Sequence, residues 1–112
     1  MTIDELKESV IEGLTTELES DPDFSAEILE QKVDNVINEV KQARRYAQAG
    51  YSDEQIETDI VNYISNIRNI SLYDYNQSGI DFQTNSQENG TSRSFMSRHR
   101  LFYGIIPLAK QL

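Results

Sequence analysis

The fold class predicted from the sequence is all-α: a small bundle of three main helices followed by an extended loop or hairpin arm and a C-terminal tail. Three observations predict it. Apolar residues recur at steps of three and four through the first 76 positions, two capping boxes mark helix starts, and the character of the chain changes at Gln77. With 112 residues there is room for one domain with a modest core. The expected organisation is an acidic helical body over residues 1–76, an arm over 77–95 and a tail over 96–112.

The first helix is expected over about residues 3–20. Thr2-x-x-Glu5 is a capping box, in which the hydroxyl accepts an orphan amide hydrogen and the glutamate reaches back. Ile3, Leu6, Val10, Leu14 and Leu18 form one apolar stripe, opposed by Glu8, Glu12 and Glu19. Ser20-Asp-Pro-Asp ends the helix, because Pro22 disfavours helical geometry in the residue before it.

The second helix is expected over 26–48, with Leu29, Val33, Val36, Ile37, Val40, Ala43 and Ala47 facing inward. Gly50 suits the left-handed residue after a helix end. Lys41, Arg44 and Arg45 fall in the final turns, where cations complement the helix dipole; a ligand site is the other reading of this cluster.

The third helix is expected over 53–74. Ser52-Asp-Glu-Gln55 is the second capping box, and Ile56, Ile60, Tyr63, Ile64, Ile67 and Ile70 face the core. Its β-branched stretch lowers helix propensity, but the spacing outweighs that. The turn-forming run Asn76-Gln-Ser-Gly79 sets the expected end.

From residue 77 to 92 only Ile80 and Phe82 are strongly apolar. A loop of this length in a small domain usually has a job or is disordered. Asn89-Gly90 is a preferred hairpin-turn pair, and apolar residues alternate on both sides of it, so a two-stranded arm that pairs with a neighbour is expected. The tail resumes with Phe95, Met96, Leu101, Phe102, Tyr103, Ile105, Ile106 and Leu108. A short helix is expected across residues 97–103, ended by Gly104 and Pro107. Part of this apolar set closes the core of its own subunit.

Charge is divided along the chain. Residues 1–40 carry 12 acids and 2 bases, whereas residues 77–112 carry 2 acids and 4 bases, within a total of −9. An acidic body repels phosphate backbones, which disfavours general nucleic-acid binding. The absence of cysteine removes disulfides, thiolate metal sites and thiol nucleophiles. The acidic N-terminus does not resemble a signal peptide, and no apolar run approaches the roughly 20 residues of a spanning helix, so synthesis in the cytoplasm and no membrane partner are expected.

An enzyme is not expected. His99 is the one histidine and lies between two arginines, where it reads as an ordinary exposed residue. Asp21-Pro-Asp23 lacks the ligand spacing of a calcium loop, and neither a Glu-x-x-His pair nor a phosphate-cradling glycine loop is present. No catalytic residue, cofactor or metal is assigned. Tyrosine buries a large ring while its hydroxyl stays hydrogen-bonded, so Tyr73, Tyr75 and Tyr103 are candidate interface residues.

The run from Ile67 to Asn76, the segment Asn89-Gly-Thr-Ser-Arg-Ser-Phe95 and Phe102-Tyr-Gly-Ile-Ile-Pro-Leu108 together resemble the head–tail connector proteins of long-tailed bacteriophages and prophages, also called head-completion or adaptor proteins. The resemblance spans about residues 33–112 and leaves the first helix as an addition. It implies a structural virion protein of the neck. Such subunits form a twelve-fold ring under the portal protein, extend the DNA channel without sequence-specific binding, and offer a surface to a stopper or tail-completion protein. Carried onto this chain, the arm with Phe82, Arg93 and Phe95 would touch neighbours or the channel. Arg98, Arg100, Phe102, Tyr103 and Ile106 would grip the portal, with Tyr73 and Tyr75 at an interface.

Charge and composition leave two competing readings. One is a small acidic regulatory or antitoxin-like protein that occupies a basic partner. The other is a nucleic-acid binder working through Arg93, Arg98, His99 and Arg100, whose binding would collapse with salt.

Overall fold

A computed structural model describes residues 1–80, Arg98 and residues 100–108, with the backbone alone for residues 79 and 80. The fold is all-α. Helix α1 spans Ile3–Leu18, α2 Ala26–Arg44, α3 Tyr46–Ala49, α4 Asp53–Ile60 and α5 Ile64–Ile80, with a 3-10 turn Val61–Tyr63 between the last two. Helix α2 packs against α5 and, less extensively, α1, while α1 also meets α5, giving a small bundle.

Both capping boxes form as expected. The Thr2 hydroxyl accepts from the Glu5 amide at 3.1 Å, and Glu5 accepts from the Thr2 amide at 2.9 Å. Those contacts, the Thr2 backbone first, hold the Glu5 carboxyl below its ordinary pKa. Ser52 and Gln55 repeat the arrangement at 3.3 and 2.8 Å. Leu6, Val10 and Leu14 of α1 meet Leu29, Val33, Val36, Ile37 and Val40 of α2, and Ile60, Ile67 and Ile70 complete the core.

Three helix boundaries differ from the sequence expectation. The second helix ends at Arg44 rather than near residue 48. Arg45 takes the left-handed conformation at φ 58°, and its amide donates to the Lys41 and Gln42 carbonyls at 3.1 Å. A separate turn, α3, follows before Gly50 at φ 74°; Ala47 lies on it, exposed instead of in the core. The third helix is interrupted by the 3-10 turn, inside the β-branched stretch where propensity is weakest.

The third helix also runs on to Ile80, past the expected end at 74. Residues 77–80 of the expected arm are therefore helical. Tyr75 supplies the physical reason: its ring packs against Phe24 with centroids 6.1 Å apart, and its hydroxyl accepts from the Ser25 amide at 3.0 Å. This tertiary anchor outweighs the local turn signal. The rest of the arm, including the Asn89-Gly90 turn, lies outside the described residues.

Candidate interaction surface

The C-terminal segment returns to the helical body and is held there by four sets of polar contacts. Arg98 is helical and half-buried. Its Nε and Nη2 donate to the two carboxylate oxygens of Asp74 at 2.7 and 2.9 Å, and Nη2 also donates to Glu39 at 2.7 Å. The fork geometry suits a carboxylate, and the guanidinium carbon lies 5.2 Å from the Phe102 ring centroid. The Asp74 hydrogen bond raises the Arg98 pKa despite burial, with Glu39 adding to it, so the group stays charged.

One turn along, Asn66 of α5 donates through Nδ2 to the carbonyls of Leu101 and Tyr103 at 2.9 and 3.2 Å. The chain turns at Gly104, whose φ of 90° is open to glycine at little cost. Ile105 then inserts into the core at 8% exposure.

The remaining contacts come from Arg44, the residue before the left-handed break. Its Nε and Nη2 donate to Asp59 at 2.9 and 3.0 Å, and Nη1 donates to the Ile106 carbonyl at 2.9 Å. Asp59 Oδ2 also accepts from the Tyr46 hydroxyl at 2.7 Å. The Arg44 guanidinium lies 5.1 Å from the Tyr63 ring centroid. Burial opposes its charge, but Asp59 and Tyr46 more than offset that, and its pKa rises. Burial, then the Asp59 hydrogen bond, pushes the Tyr46 phenol well above its ordinary range. The Leu108 amide donates back to the Arg44 carbonyl at 3.0 Å.

The segment so held points two large apolar side chains outward, Tyr103 at 71% and Ile106 at 63% exposure. Arg100 is exposed beside them, and Phe102 is half-buried. The other sequence-predicted residues divide. Tyr75 is buried with its hydroxyl committed to Ser25, and Arg98 is committed to Asp74 and Glu39, so in this arrangement both serve their own subunit. Tyr73 is half-buried. Phe82, Arg93 and Phe95, like His99, lie outside the described residues.

Sequence reasoning missed Asn66, Asp59, Tyr46 and the inward role of Arg44. Their partners lie up to 62 positions away along the chain, and only Arg44 had been marked, for its place near a helix end.

An open groove of about 420 Å³ runs along α4, lined by Tyr51, Glu54, Gln55, Thr58, Asp59 and Asn62. Another of about 380 Å³ lies between the end of α2, α3 and α4. Among the described residues, no group of three or more histidines and carboxylates is placed to hold a metal, and no helix is long and apolar enough to cross a membrane. A scan of protein-family models and searches of curated proteins and solved structures each found no match to the chain.

Proposed function

We propose that the protein is a non-enzymatic head–tail connector of a long-tailed phage or prophage. Made in the host cytoplasm, it assembles at the virion neck as a twelve-fold ring on the portal protein. It extends the DNA channel and presents a surface to the stopper or tail-completion protein. The observation that carries this reading is the held C-terminal segment. It is fixed to the body by Arg98, Asn66 and Arg44, yet it turns Tyr103 and Ile106 into water. Two large apolar side chains exposed on one held turn support a contact surface there. The segment coincides with the Phe102–Leu108 stretch that carries part of the resemblance.

Charge supports the same reading. Rings use heterologous contacts, in which one patch meets a different one on the next subunit, and an acidic body with a basic C-terminal stretch offers such a pair. An acidic lumen gives DNA phosphates no counterion-release gain, so DNA slides without sticking.

The test is electron microscopy of portal assemblies with and without the purified protein, paired with deletion of its gene in the producing phage. Expected are a ring of added density under the portal, and filled heads without tails from the deletion. Portals that gain no density, together with normal tailed particles from the deletion, would overturn the proposal.

A further inference from the structure

Helix α2 carries unlike charge at its two ends. Before its start lies the turn Asp21-Pro22-Asp23, all three residues of which are exposed. The turn is firmly built. The Asp21 amide donates to the Leu18 carbonyl and the Phe24 amide to the Asp21 carbonyl, both at 3.0 Å, and the Asp23 amide donates to the Asp21 carboxylate at 2.9 Å. Phe24 and Ser25 then fasten it to Tyr75. It presents a proline ring between two carboxylates. That ring has no N–H, so it can enter an apolar groove without burying an unsatisfied donor.

At the far end of α2 is the groove of about 380 Å³, in which Tyr46, Ala47, Tyr51 and Ile56 supply the apolar lining and Lys41 and Gln48 the polar. The Tyr46 and Tyr51 rings stack with centroids 5.5 Å apart. The left-handed break at Arg45 ends α2 and leaves Ala47 exposed on α3. Arg45, also exposed, lines an adjoining recess that shares Gln48 with the groove. Among the described residues, Lys41, Arg45, Asp21 and Asp23 take part in no ion pair. The carboxylates nearby are committed or face elsewhere. Glu39 is paired with Arg98, Asp59 with Arg44 and Tyr46, and Glu57 accepts from the Ile3 amide. Glu54 lines the other groove, across Tyr51, and Asp53 is exposed in the first turn of α4, outside the lining.

The 19 residues of α2 hold turn and groove about 28 Å apart, so the two cannot meet within one subunit. Two copies can bring them together. We infer that the Asp21-Pro22-Asp23 turn of one copy docks in the groove between α2, α3 and α4 of the next, with Pro22 on Tyr51 and Ile56 and the two carboxylates toward Lys41 and Arg45. The contact joins unlike patches, so it repeats from copy to copy and closes into a ring where the rotation at each step allows. It rests on the connector reading for that closed ring, and it names the faces that meet. The turn lies outside residues 33–112, so the resemblance assigns it nothing. Exposed charge pairs are each worth little, which leaves burial of the proline and the tyrosine face as the larger attraction and makes the charges the selectors of orientation.

The experiment cross-links the full-length protein in about 0.15 M NaCl, where a screening length of about 8 Å damps repulsion between acidic bodies more than attraction within a close pair. The chain has no cysteine, so Ser20→Cys and Asn38→Cys each introduce a single thiol, one beside the turn and one a helical turn before Gln42. Treated with a short bis-maleimide, a mixture of these two variants is expected to give severalfold more heterodimer than a mixture of Glu12→Cys with Asn38→Cys. Adding Asp21→Lys/Asp23→Lys to the Ser20→Cys protein should reduce the yield to that control level. Adding Lys41→Glu/Arg45→Glu to its Asn38→Cys partner should then restore it. Circular dichroism checks that each variant keeps its helical spectrum. Heterodimer at the control level, or a loss that reversing the groove charges does not restore, would overturn the contact. Either result leaves the connector reading to its own test at the portal, and portals that gain no density would leave the contact standing as self-association alone.

Discussion

At the scale of single residues, the cluster of Arg44, Tyr46 and Asp59 decides more than its size suggests. A buried guanidinium is costly unless each charge is paired and its remaining donors are used. Arg44 meets that condition by sharing its donors between the Asp59 carboxylate and the Ile106 carbonyl. Asp59 in turn accepts from Tyr46, which makes the phenol a reporter of the cluster. Its pKa is raised in the folded state, so the folded chain holds the phenolic proton where the unfolded chain, near the ordinary value of about 10, releases it. The stability this contributes is complete below about pH 10 and declines as pH rises beyond it. Tyr46→Phe should therefore be less stable than wild type at neutral pH by about 1.5–3 kcal/mol, the worth of a hydrogen bond to a charged acceptor. Between pH 10 and 11 wild type should lose about 1 kcal/mol more than the variant. Urea midpoints at pH 7.5, 10 and 11 measure both effects, and parallel losses in the two proteins would contradict the assignment. None of this was legible beforehand. Arg44 reads as a helix-end cation in the sequence, and nothing local says that Asp59, 15 positions on, will draw it inward.

At the scale of elements, beginnings were legible, as was the end of α1, but the ends of the second and third helices were not. The starts at Thr2 and Ser52 were readable because a cap is made by residues three apart, with no help from the rest of the chain. The stripes of α1 and α2 were equally readable, since periodicity is local. The ends depend on partners elsewhere: α5 runs past its polar turn signal because Tyr75 is fastened to Phe24 and Ser25. The break after α2 is the clearest case: Gly50 is left-handed after a helix end as expected, but Arg45 takes that conformation first and ends α2 earlier. An L-residue there costs roughly 1 kcal/mol, which glycine avoids. Arg45→Gly should therefore raise stability by about 0.5–1 kcal/mol in chemical denaturation, although the glycine also loosens the unfolded chain. A loss of more than about 1 kcal/mol would mean that the Arg45 side chain carries a stabilising contact of its own. The candidate surface follows the same division. Tyr103 was marked for its ring and hydroxyl and Ile106 through the resemblance, whereas Asn66, a plain polar position on a helix, is revealed as a clamp only when residues 35 and 37 places away lie against it.

At the scale of the whole molecule, the balance of charge sets how the protein responds to its solvent. The ion pairs among the described residues are few: Arg44 with Asp59 and Arg98 with Asp74 and Glu39 are partly buried, whereas Lys7 with Glu30 and Asp34, and Arg68 with Glu17, are more open to water. The Asp34 hydrogen bond, with Glu30 behind it, raises the Lys7 pKa, yet exposed pairs of this kind are each worth little. Against them stand 12 acidic side chains in the first 40 residues, opposed by 2 bases, on the α1 and α2 side of the bundle. Repulsion among many like charges is long-ranged and is the component that salt removes. The screening length falls from about 30 Å at 0.01 M to about 8 Å at 0.15 M. Repulsion should outweigh the few surface pairs, so the thermal midpoint should rise over that range of NaCl. Replacing Glu8 and Glu12 on the exposed face of α1 with Gln should reproduce part of the rise at low salt and reduce the response to added salt. Differential scanning calorimetry of both proteins across the salt series makes the measurement. A midpoint that falls with salt would mean that the attractive pairs dominate. The acidic face would then be electrostatically satisfied within the subunit.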